Sequence, residues 1–214
     1  MIRSTYNSMI YKMKRSTKLF CFLLSICIPL FTSCAGTKIT DTWKDKAYQG
    51  NPQNIVVIMV ARTEHLRNMF EGRFVAELRA RGNTATQSHK IVTFEQLKDK
   101  ELMKSKIKST DADTVLIARL VDSKTIKTYE PGAIHGVPIA YSYWGTYYEI
   151  LYVDYGYTGD IEVAYIETNL YDVKTEKLIW SARSKTERTE GEQQLVNTFI
   201  YIIVKKLSKD KIIR

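Results

Sequence analysis

Two continuous apolar runs constrain the fold of this chain more than any other feature of its sequence. They are Asn54–Ala61 and Asp113–Val121, and both are rich in valine, isoleucine and leucine over the length of a strand. An unbroken apolar run of that length predicts a strand that is covered on both faces, as in sheets with helices on each side. We therefore expect both runs to be central strands of one sheet.

The segment between these runs has helical periodicity. Over residues 64–81, large apolar residues recur every four positions, which predicts an amphipathic helix, and Gly82 is well placed to end it. A short strand near residues 85–88 and a second helical region over residues 93–108 follow. The order strand, helix, strand, helix, strand predicts crossover connections and at least partly parallel pairing.

The second half of the chain predicts antiparallel structure. Residues 161–173 and 177–185 have strand composition, and the three residues between them fit a hairpin. Residues 195–207 carry the apolar face of a last helix. The hairpin side chains that we expect to pack against this helix are Ile166, Leu170, Leu178 and Trp180. The prediction is an α/β (α+β) fold, in which a single mixed sheet combines a β-α-β-α-β first half, an antiparallel hairpin and a C-terminal helix.

The first 33 residues have the composition of a leader. Five basic residues and no acidic residue precede an apolar run that is too short to cross a bilayer as a stable helix. Two small polar residues, Thr32 and Ser33, come directly before Cys34. This order resembles the lipobox of bacterial lipoproteins. The resemblance implies that a diacylglyceryl group is attached to the Cys34 thiol, that the chain is cut before Cys34, and that the new amine is acylated.

The predicted organisation follows from that cleavage. We expect a signal peptide over residues 1–33, a lipid-anchored polar tether over residues 34–52 and a single α/β domain over residues 53–210. Without the leader, 27 of the 32 basic residues remain against 23 acidic ones, a net charge of +4. Because that balance is ordinary, we expect no nucleic acid partner. Cys34 is the only cysteine left after cleavage, which excludes a disulfide within one molecule.

The cellular location is predicted from the same resemblance. Ala35 follows the cysteine, and the absence of an acidic residue there resembles the pattern that lets lipoproteins move to the outer membrane. We expect the protein to be anchored in the outer membrane by its N-terminal lipid, to face the periplasm and to have an envelope protein as partner.

The hairpin carries a second resemblance. Its sequence, YIETNLYDVKTEKLIWSARSKT over Tyr165–Thr186, resembles that of a family of uncharacterised bacterial outer-membrane lipoproteins with a domain of unknown function. The similarity extends over nearly the whole chain after Cys34. It implies a periplasmic α/β domain on a lipid anchor, and it brings no catalytic residues. The motif also has a purely architectural explanation, since apolar and aromatic residues at period two are what a half-buried sheet requires.

The sequence lacks the common signatures of enzymatic chemistry. It contains no Gly-x-Ser-x-Gly elbow, no His-Glu-x-x-His pair, no phosphate-binding Gly-rich loop and no dinucleotide fingerprint. The three histidines, His65, His89 and His135, share no metal-ligand spacing, so we expect them to be solvated or to cap helices. We therefore predict a protein that is not an enzyme and that holds no cofactor and no metal.

An aromatic segment over residues 139–157 is the predicted binding surface. Tyrosine and tryptophan give large contact areas at low entropic cost and keep a polar tip, which suits recognition of protein, glycan or lipid head groups. The candidate residues are Tyr141, Tyr143, Trp144, Tyr147 and Tyr148. The bland alternative is that these side chains are ordinary faces of a strand pair.

Three functions remain open at this level. The first is a non-catalytic module that binds another envelope protein. The second is a glycan-binding or lipid-binding module with a concave pocket lined by Tyr143, Trp144 and Tyr148. The third is an unrecognised enzyme, whose ionisable groups would come from Glu149, Asp154 or His135.

Overall fold

The computed structural model describes residues 36–121, 143–144, 163–187 and 191–214. In these residues a single mixed sheet of six strands combines with three α-helices, which confirms the predicted fold class. The strands are β1 (Thr37–Lys44), β2 (Asn54–Val60), β3 (Thr84–Gln87), β4 (Thr114–Val121), β5 (Val163–Asp172) and β6 (Leu178–Glu187). The helices are α1 (Glu64–Ala80), α2 (Lys100–Lys108) and α3 (Gly191–Lys209), and two short 3-10 helices, Ser88–Lys90 and Glu95–Lys98, follow β3.

The strand order is β1-β6-β5-β4-β2-β3. β2 pairs in parallel with both β3 and β4, whereas β1, β6, β5 and β4 pair antiparallel with one another. The predicted parallel pairing is thus confirmed for the first half, where helical crossovers return the chain to the same end of the sheet. The predicted hairpin is confirmed as β5 and β6.

Local signals in the sequence set the ends of α1. The hydroxyl of Thr63 accepts a hydrogen bond from the backbone N–H of Leu66 at 3.2 Å and so caps the first turn. Gly82 has a φ of +81°, and the N–H groups of Gly82 and Asn83 donate to the carbonyls of Arg79 and Leu78. This is a Schellman cap, which favours glycine because a Cβ is strained at positive φ.

Helices cover both faces of the sheet. α1 and α3 pack on one face, where Phe70 and Phe74 of α1 meet Phe199 of α3 in the larger core cluster. The other face is covered by a smaller cluster that includes Met103 and Ile107 of α2. Two-sided coverage explains why β2 and β4 have continuous apolar sequences.

A β-bulge corrects one prediction about the hairpin. Leu170 lies opposite Trp180 and Tyr171 lies opposite Leu178, so Ile179 is an extra residue on β6. Ile179 and Trp180 therefore both pack in the cluster beneath α3, while Leu178 lies in the cluster on the opposite face. The prediction that Leu178 packs against the last helix is wrong because the bulge changes the alternation of the strand.

The segment after Cys34 also differs from the prediction. Residues 37–44 form the edge strand β1, which pairs with β6 on both sides of an irregularity at Thr40, rather than part of a polar tether. Several residues of β1 are exposed because an edge strand has a neighbouring strand on only one side. Trp43 and Tyr48 pack against the core, on opposite faces of the sheet.

The domain extends past the predicted end at residue 210. Ile212 and Ile213 are buried in the larger core cluster. Asp210 fixes this tail because its carboxylate accepts hydrogen bonds from the indole N–H of Trp180 at 2.8 Å and from the ammonium of Lys206 at 2.6 Å. No helix in the described parts of the chain is both long and apolar enough to span a membrane.

Candidate functional site

The sheet has two ends that differ in chemistry. We call the end where β1 begins the Thr37 end. The strand register shows that β5 also begins at this end and that β2, β3, β4 and β6 finish there. The opposite end carries the turn between β5 and β6, and we call it the hairpin end. The two predicted site residues that the structure describes, Tyr143 and Trp144, lie at the hairpin end, and a buried ionic network lies at the Thr37 end.

Only part of the predicted aromatic surface can be located. Tyr143 and Trp144 lie at the hairpin end, where Tyr143 forms an isolated antiparallel bridge with Lys177. The side chain of Tyr143 is 43% exposed, so it can contact a partner. Cys34, Tyr141, Tyr147 and Tyr148 lie outside the described residues, as do Glu149, Asp154 and His135.

Trp144 does not belong to an exposed surface. Its side chain is fully buried in the smaller core cluster, together with residues of β2, β4 and α2. Its backbone N–H donates to the carbonyl of Glu176 at 3.1 Å, and the ammonium of Lys104 lies 5.6 Å from the centroid of its ring. The inclusion of Trp144 in a binding surface is therefore wrong in this structure, because the ring fills the space between the sheet and α2.

Glu176 is the residue that joins the elements of the hairpin end. It lies in the turn with a φ of +60°, a left-handed conformation that is unfavourable for a residue with a side chain. Its carboxylate accepts hydrogen bonds from the ammonium groups of Lys104 at 2.7 Å and Lys108 at 2.9 Å, both on α2. Burial acts to raise the pKa of Glu176, but the hydrogen bonds and charges of the two lysines outweigh burial and lower the pKa below its ordinary value of 4.5.

That shift predicts a pH dependence of stability. A carboxylate with a lowered pKa in the folded state stabilises the fold above pH 4.5, and the contribution is lost as the pH falls through the folded-state value. Replacing Glu176→Gln should lower stability at neutral pH, and the difference from wild type should shrink towards pH ~3. Urea unfolding over this pH range measures the difference.

Glu101→Gln is a suitable control for this prediction. Glu101 is on α2 as well, but its side chain is 81% exposed and contacts only Lys100, at 4.0 Å, among the ion pairs of the described residues. We expect a smaller difference from wild type, with less change over the same pH range. A pH-independent effect of Glu176→Gln would show that the ionic contacts with α2 do not stabilise the hairpin turn.

A buried network centred on Glu71 lies at the Thr37 end. Glu71 and Arg67 are one turn apart on the face of α1 that packs against the sheet, and neither side chain is exposed. Ser88 and His89 reach the same place because β3 ends at Gln87 beside β2. Helix α1, strand β2 and the segment after β3 thus meet at the carboxylate of Glu71.

The carboxylate of Glu71 accepts five hydrogen bonds. Oε1 accepts from the backbone N–H of Met59 at 3.0 Å, the Nε of Arg67 at 3.1 Å and the hydroxyl of Ser88 at 2.6 Å. Oε2 accepts from the backbone N–H of His89 at 2.9 Å and contacts Nδ1 of the same residue at 2.9 Å. The guanidinium of Arg67 also donates to the Ser88 hydroxyl and to the Val92 carbonyl. The contacts to Glu71 occupy the lone pairs of both oxygens of its carboxylate.

The network has the residue types of a catalytic relay but not its geometry. A nucleophilic serine needs a base that takes its proton, usually histidine, and an accessible oxygen. Here the hydroxyl of Ser88 donates to Glu71 and its side chain is fully buried. The arrangement ties α1, β2 and the segment after β3 together, which is a structural task.

The network around Glu71 was not predicted, although the sequence contains a signal for it. Arg67 and Glu71 are separated by four positions and flank Phe70, which is on the buried stripe of the helix. Charged residues at that spacing on an apolar face indicate a buried ion pair. The expectation that His89 is solvated or caps a helix is incomplete, because its ring contacts a buried carboxylate. His65 is exposed at the start of α1.

A second ionic cluster crosses the sheet. Arg119, Glu167 and Arg183 lie directly opposite one another on β4, β5 and β6. The Nε of Arg119 is 3.1 Å from Glu167 Oε2, and Nη2 of Arg183 is 3.7 Å from Oε1 of the same carboxylate. Glu167 is thus a buried carboxylate held between two guanidinium groups, which stabilises its charge.

Neither cluster has the composition of a metal site. In the part of the chain that the structure describes, no group of three or more histidine, cysteine, aspartate or glutamate residues is arranged to hold a metal ion. The carboxylate of Asp113 accepts hydrogen bonds from the backbone N–H groups of Gln53 and Asn54 and so fixes the start of β2.

Comparison with known proteins finds matches among solved structures only. No protein-family model and no curated protein matches the chain. Two structures of PelC dodecamers from Paraburkholderia phytofirmans, one of them a variant, are similar to it. Their identities are 14% and 16%, their TM-scores 0.44 and 0.43, and the alignments cover 78% and 80% of this chain and 95% and 96% of PelC.

A bacterial lipoprotein is among the similar structures as well. The lipoprotein GNA1162 from Neisseria meningitidis is 10% identical, with a TM-score of 0.41, and the alignment covers 73% of this chain and 97% of that protein. At these values the likenesses carry no argument about activity, ligand or assembly.

Proposed function

We propose that this chain is a lipid-anchored envelope protein, held in the outer membrane and facing the periplasm, that binds another protein and catalyses no reaction. The observation that carries the proposal is the position of Cys34. It follows a basic and apolar leader, and the compact unit of the chain starts at Gly36, two residues later. A lipidated cysteine at that place tethers the entire domain to a membrane.

The ionic clusters support the non-catalytic part of the proposal. Glu71 and Glu167 are buried and engaged by basic groups or backbone N–H groups, and the hydroxyl of Ser88 donates a hydrogen bond to Glu71. Groups that are engaged in this way hold secondary structure elements together and are poorly placed to meet a substrate.

The binding part of the proposal relies on the aromatic segment over residues 139–157. Tyr143 contributes an exposed ring at the hairpin end. The alternative function, a glycan or lipid pocket lined by Tyr143, Trp144 and Tyr148, receives less support because Trp144 is part of the core. A protein partner that contacts the exposed ring of Tyr143 fits the described residues better.

The anchor is tested by comparing the wild-type chain with Cys34→Ser in bacterial cells. Mass spectrometry of the N-terminal peptide should find acyl groups on Cys34 and no leader, and the protein should fractionate with outer membranes. The variant should lack the acyl groups and leave the outer-membrane fraction. An intact leader or a bare thiol in the wild-type protein would contradict the proposal.

The partner is tested by crosslinking in intact cells. A variant with Tyr141→Ser, Tyr147→Ser and Tyr148→Ser removes aromatic rings of the segment but retains the buried Trp144. We expect it to lose crosslinked partners of the wild-type protein. The control is Tyr201→Ser, which removes an exposed tyrosine of α3 and should leave the partners unchanged. Equal partners in both variants would remove the aromatic segment from the proposal.

A further inference from the structure

We infer that the Thr37 end of the sheet lies directly against the bilayer, and that the surface it contacts is one with anionic head groups. The inference rests on the lipid anchor proposed at Cys34. It adds the orientation of the domain and the face that meets the membrane, which the anchor alone leaves open.

The first step is the length of chain between the anchor and the sheet. Only Ala35 and Gly36 separate Cys34 from Thr37. An extended chain spans at most about 3.6 Å per residue, so the Cα atom of Thr37 lies within about 11 Å of the Cα atom of Cys34. The diacylglyceryl group on that cysteine is inserted in the membrane, and the first residue of β1 must therefore lie at the membrane surface.

The second step is that Thr37 is fixed to the domain. It is only 8% exposed, and its hydroxyl is 2.8 Å from the hydroxyl of Thr186 in a buried contact. β1 is paired with β6 from Thr37 to Lys44. Because the pairing starts at the first residue of the strand, β1 cannot act as a tether unless it separates from β6.

The third step is the charge of this end. Lys38 and Lys185 lie directly opposite each other on β1 and β6, one residue from Thr37 and from Thr186. Head groups within about 10 Å, the Debye length at moderate salt, attract such lysines.

Other groups at the Thr37 end modify this attraction. Lys90 is exposed in the 3-10 helix after β3 and adds a positive charge. Acidic residues that the structure describes at this end include Glu187, the last residue of β6, and Glu64 and Glu192 in the first turns of α1 and α3. Lys38 is only four residues from the anchor in sequence and Lys185 lies directly opposite it, so both lysines lie near the head groups.

The length of the sheet makes the inference measurable. β5 contains ten residues, and a strand rises about 3.3 Å per residue, so the hairpin end lies about 30 Å from the Thr37 end. With the Thr37 end at the bilayer and the strands upright, Lys174 in the hairpin turn stands far from the lipid. Lys38 and Lys174 are both exposed lysines, which makes them a matched pair of labelling sites.

The experiment uses the full chain, processed in cells, purified and reconstituted in vesicles of phosphatidylethanolamine and phosphatidylglycerol. A fluorophore is attached to Lys38→Cys or to Lys174→Cys, since an acylated Cys34 leaves no other thiol in the processed chain. Nitroxides on the lipid head groups quench nearby fluorophores. We expect several-fold stronger quenching for the Lys38→Cys label than for the Lys174→Cys label.

A second variant changes only the length of the link. About twenty glycine and serine residues inserted between Gly36 and Thr37 have a root-mean-square length of about 25 Å. We expect quenching at Lys38→Cys to fall towards the value at Lys174→Cys on phosphatidylcholine vesicles. It should fall less on vesicles that contain phosphatidylglycerol, because Lys185 and Lys90 remain at this end in the labelled variant and attract anionic lipid.

The outcomes separate this inference from the proposed function. Equal quenching at the two sites in a protein with acyl groups would overturn the orientation and leave the anchor intact. The absence of acyl groups in the same sample would overturn both. A Lys38→Cys label that is shielded from a water-soluble quencher, but not quenched by lipid nitroxides, would assign this end to a protein partner and overturn the inference.

Discussion

Replacing Glu71→Gln is expected to lower the free energy of unfolding by about 3–5 kcal/mol. The substitution keeps the size of the side chain but replaces one acceptor oxygen by a donor. The five groups that now donate to the carboxylate include the buried Nε of Arg67, and the variant leaves that charge uncompensated. Urea unfolding of the purified protein, followed by circular dichroism, measures the change.

The same helix supplies a control for Glu71→Gln. Glu77 forms ion pairs with Arg73 and Arg81 on the outer side of α1. Glu77→Gln should cost less than about 1 kcal/mol, because partly exposed pairs are weak. If the two variants lost equal stability, Glu71 would have no special role in the fold.

A double variant tests whether the uncompensated charge of Arg67 causes the loss of stability. Arg67→Met combined with Glu71→Gln removes the guanidinium that the single variant leaves without its counter-ion. We expect the double variant to be more stable than Glu71→Gln alone, because breaking a buried pair costs more than replacing both partners.

Replacing Phe199→Ala is expected to lower the free energy of unfolding by about 3–5 kcal/mol as well. Phe199 is fully buried, and its ring centroid is 5.3 Å from that of Phe70. The truncation leaves a cavity where α3 meets α1 on the sheet, and relaxation of the two helices fills it only in part. A typical domain has about 5–15 kcal/mol of stability, so the variant should have a strongly reduced urea midpoint.

Tyr201→Ala is the matched control for Phe199→Ala. It truncates an aromatic residue two positions later on α3, and that ring is 47% exposed and lies near Lys205. We expect a change within about 0.5 kcal/mol, as for most surface substitutions. A similar loss in both variants would contradict the prediction, because the buried ring of Phe199 would then contribute no more than an exposed ring of the same helix.

Much of the fold could be predicted from the sequence because burial leaves a local pattern. β2 and β4 are covered on both faces, and their runs of valine and isoleucine report this directly. The apolar stripe of α1 and its cap at Gly82 are local in the same sense. The leader before Cys34 is also a local pattern, because its signal consists of consecutive residues.

The features that failed prediction depend on residues distant in the chain. β1 resembles a polar tether because an edge strand is held largely by backbone hydrogen bonds to β6, and side chains do not encode those bonds. Trp144 resembles a surface residue beside four tyrosines, but its role is set by the space between the sheet and α2. The bulge at Ile179 reverses which face Leu178 occupies.

The sequence by itself determined the class of the fold and its central strands, and it predicts a lipid anchor at Cys34. Only the tertiary structure decided that Glu71 meets Met59, Ser88 and His89, and that residues 37–44 pair with β6 as an edge strand. The physical reason is that hydrophobic periodicity reports how each segment is buried. Hydrogen bonds between segments depend on which segments become neighbours, and that follows from the packing of the entire chain.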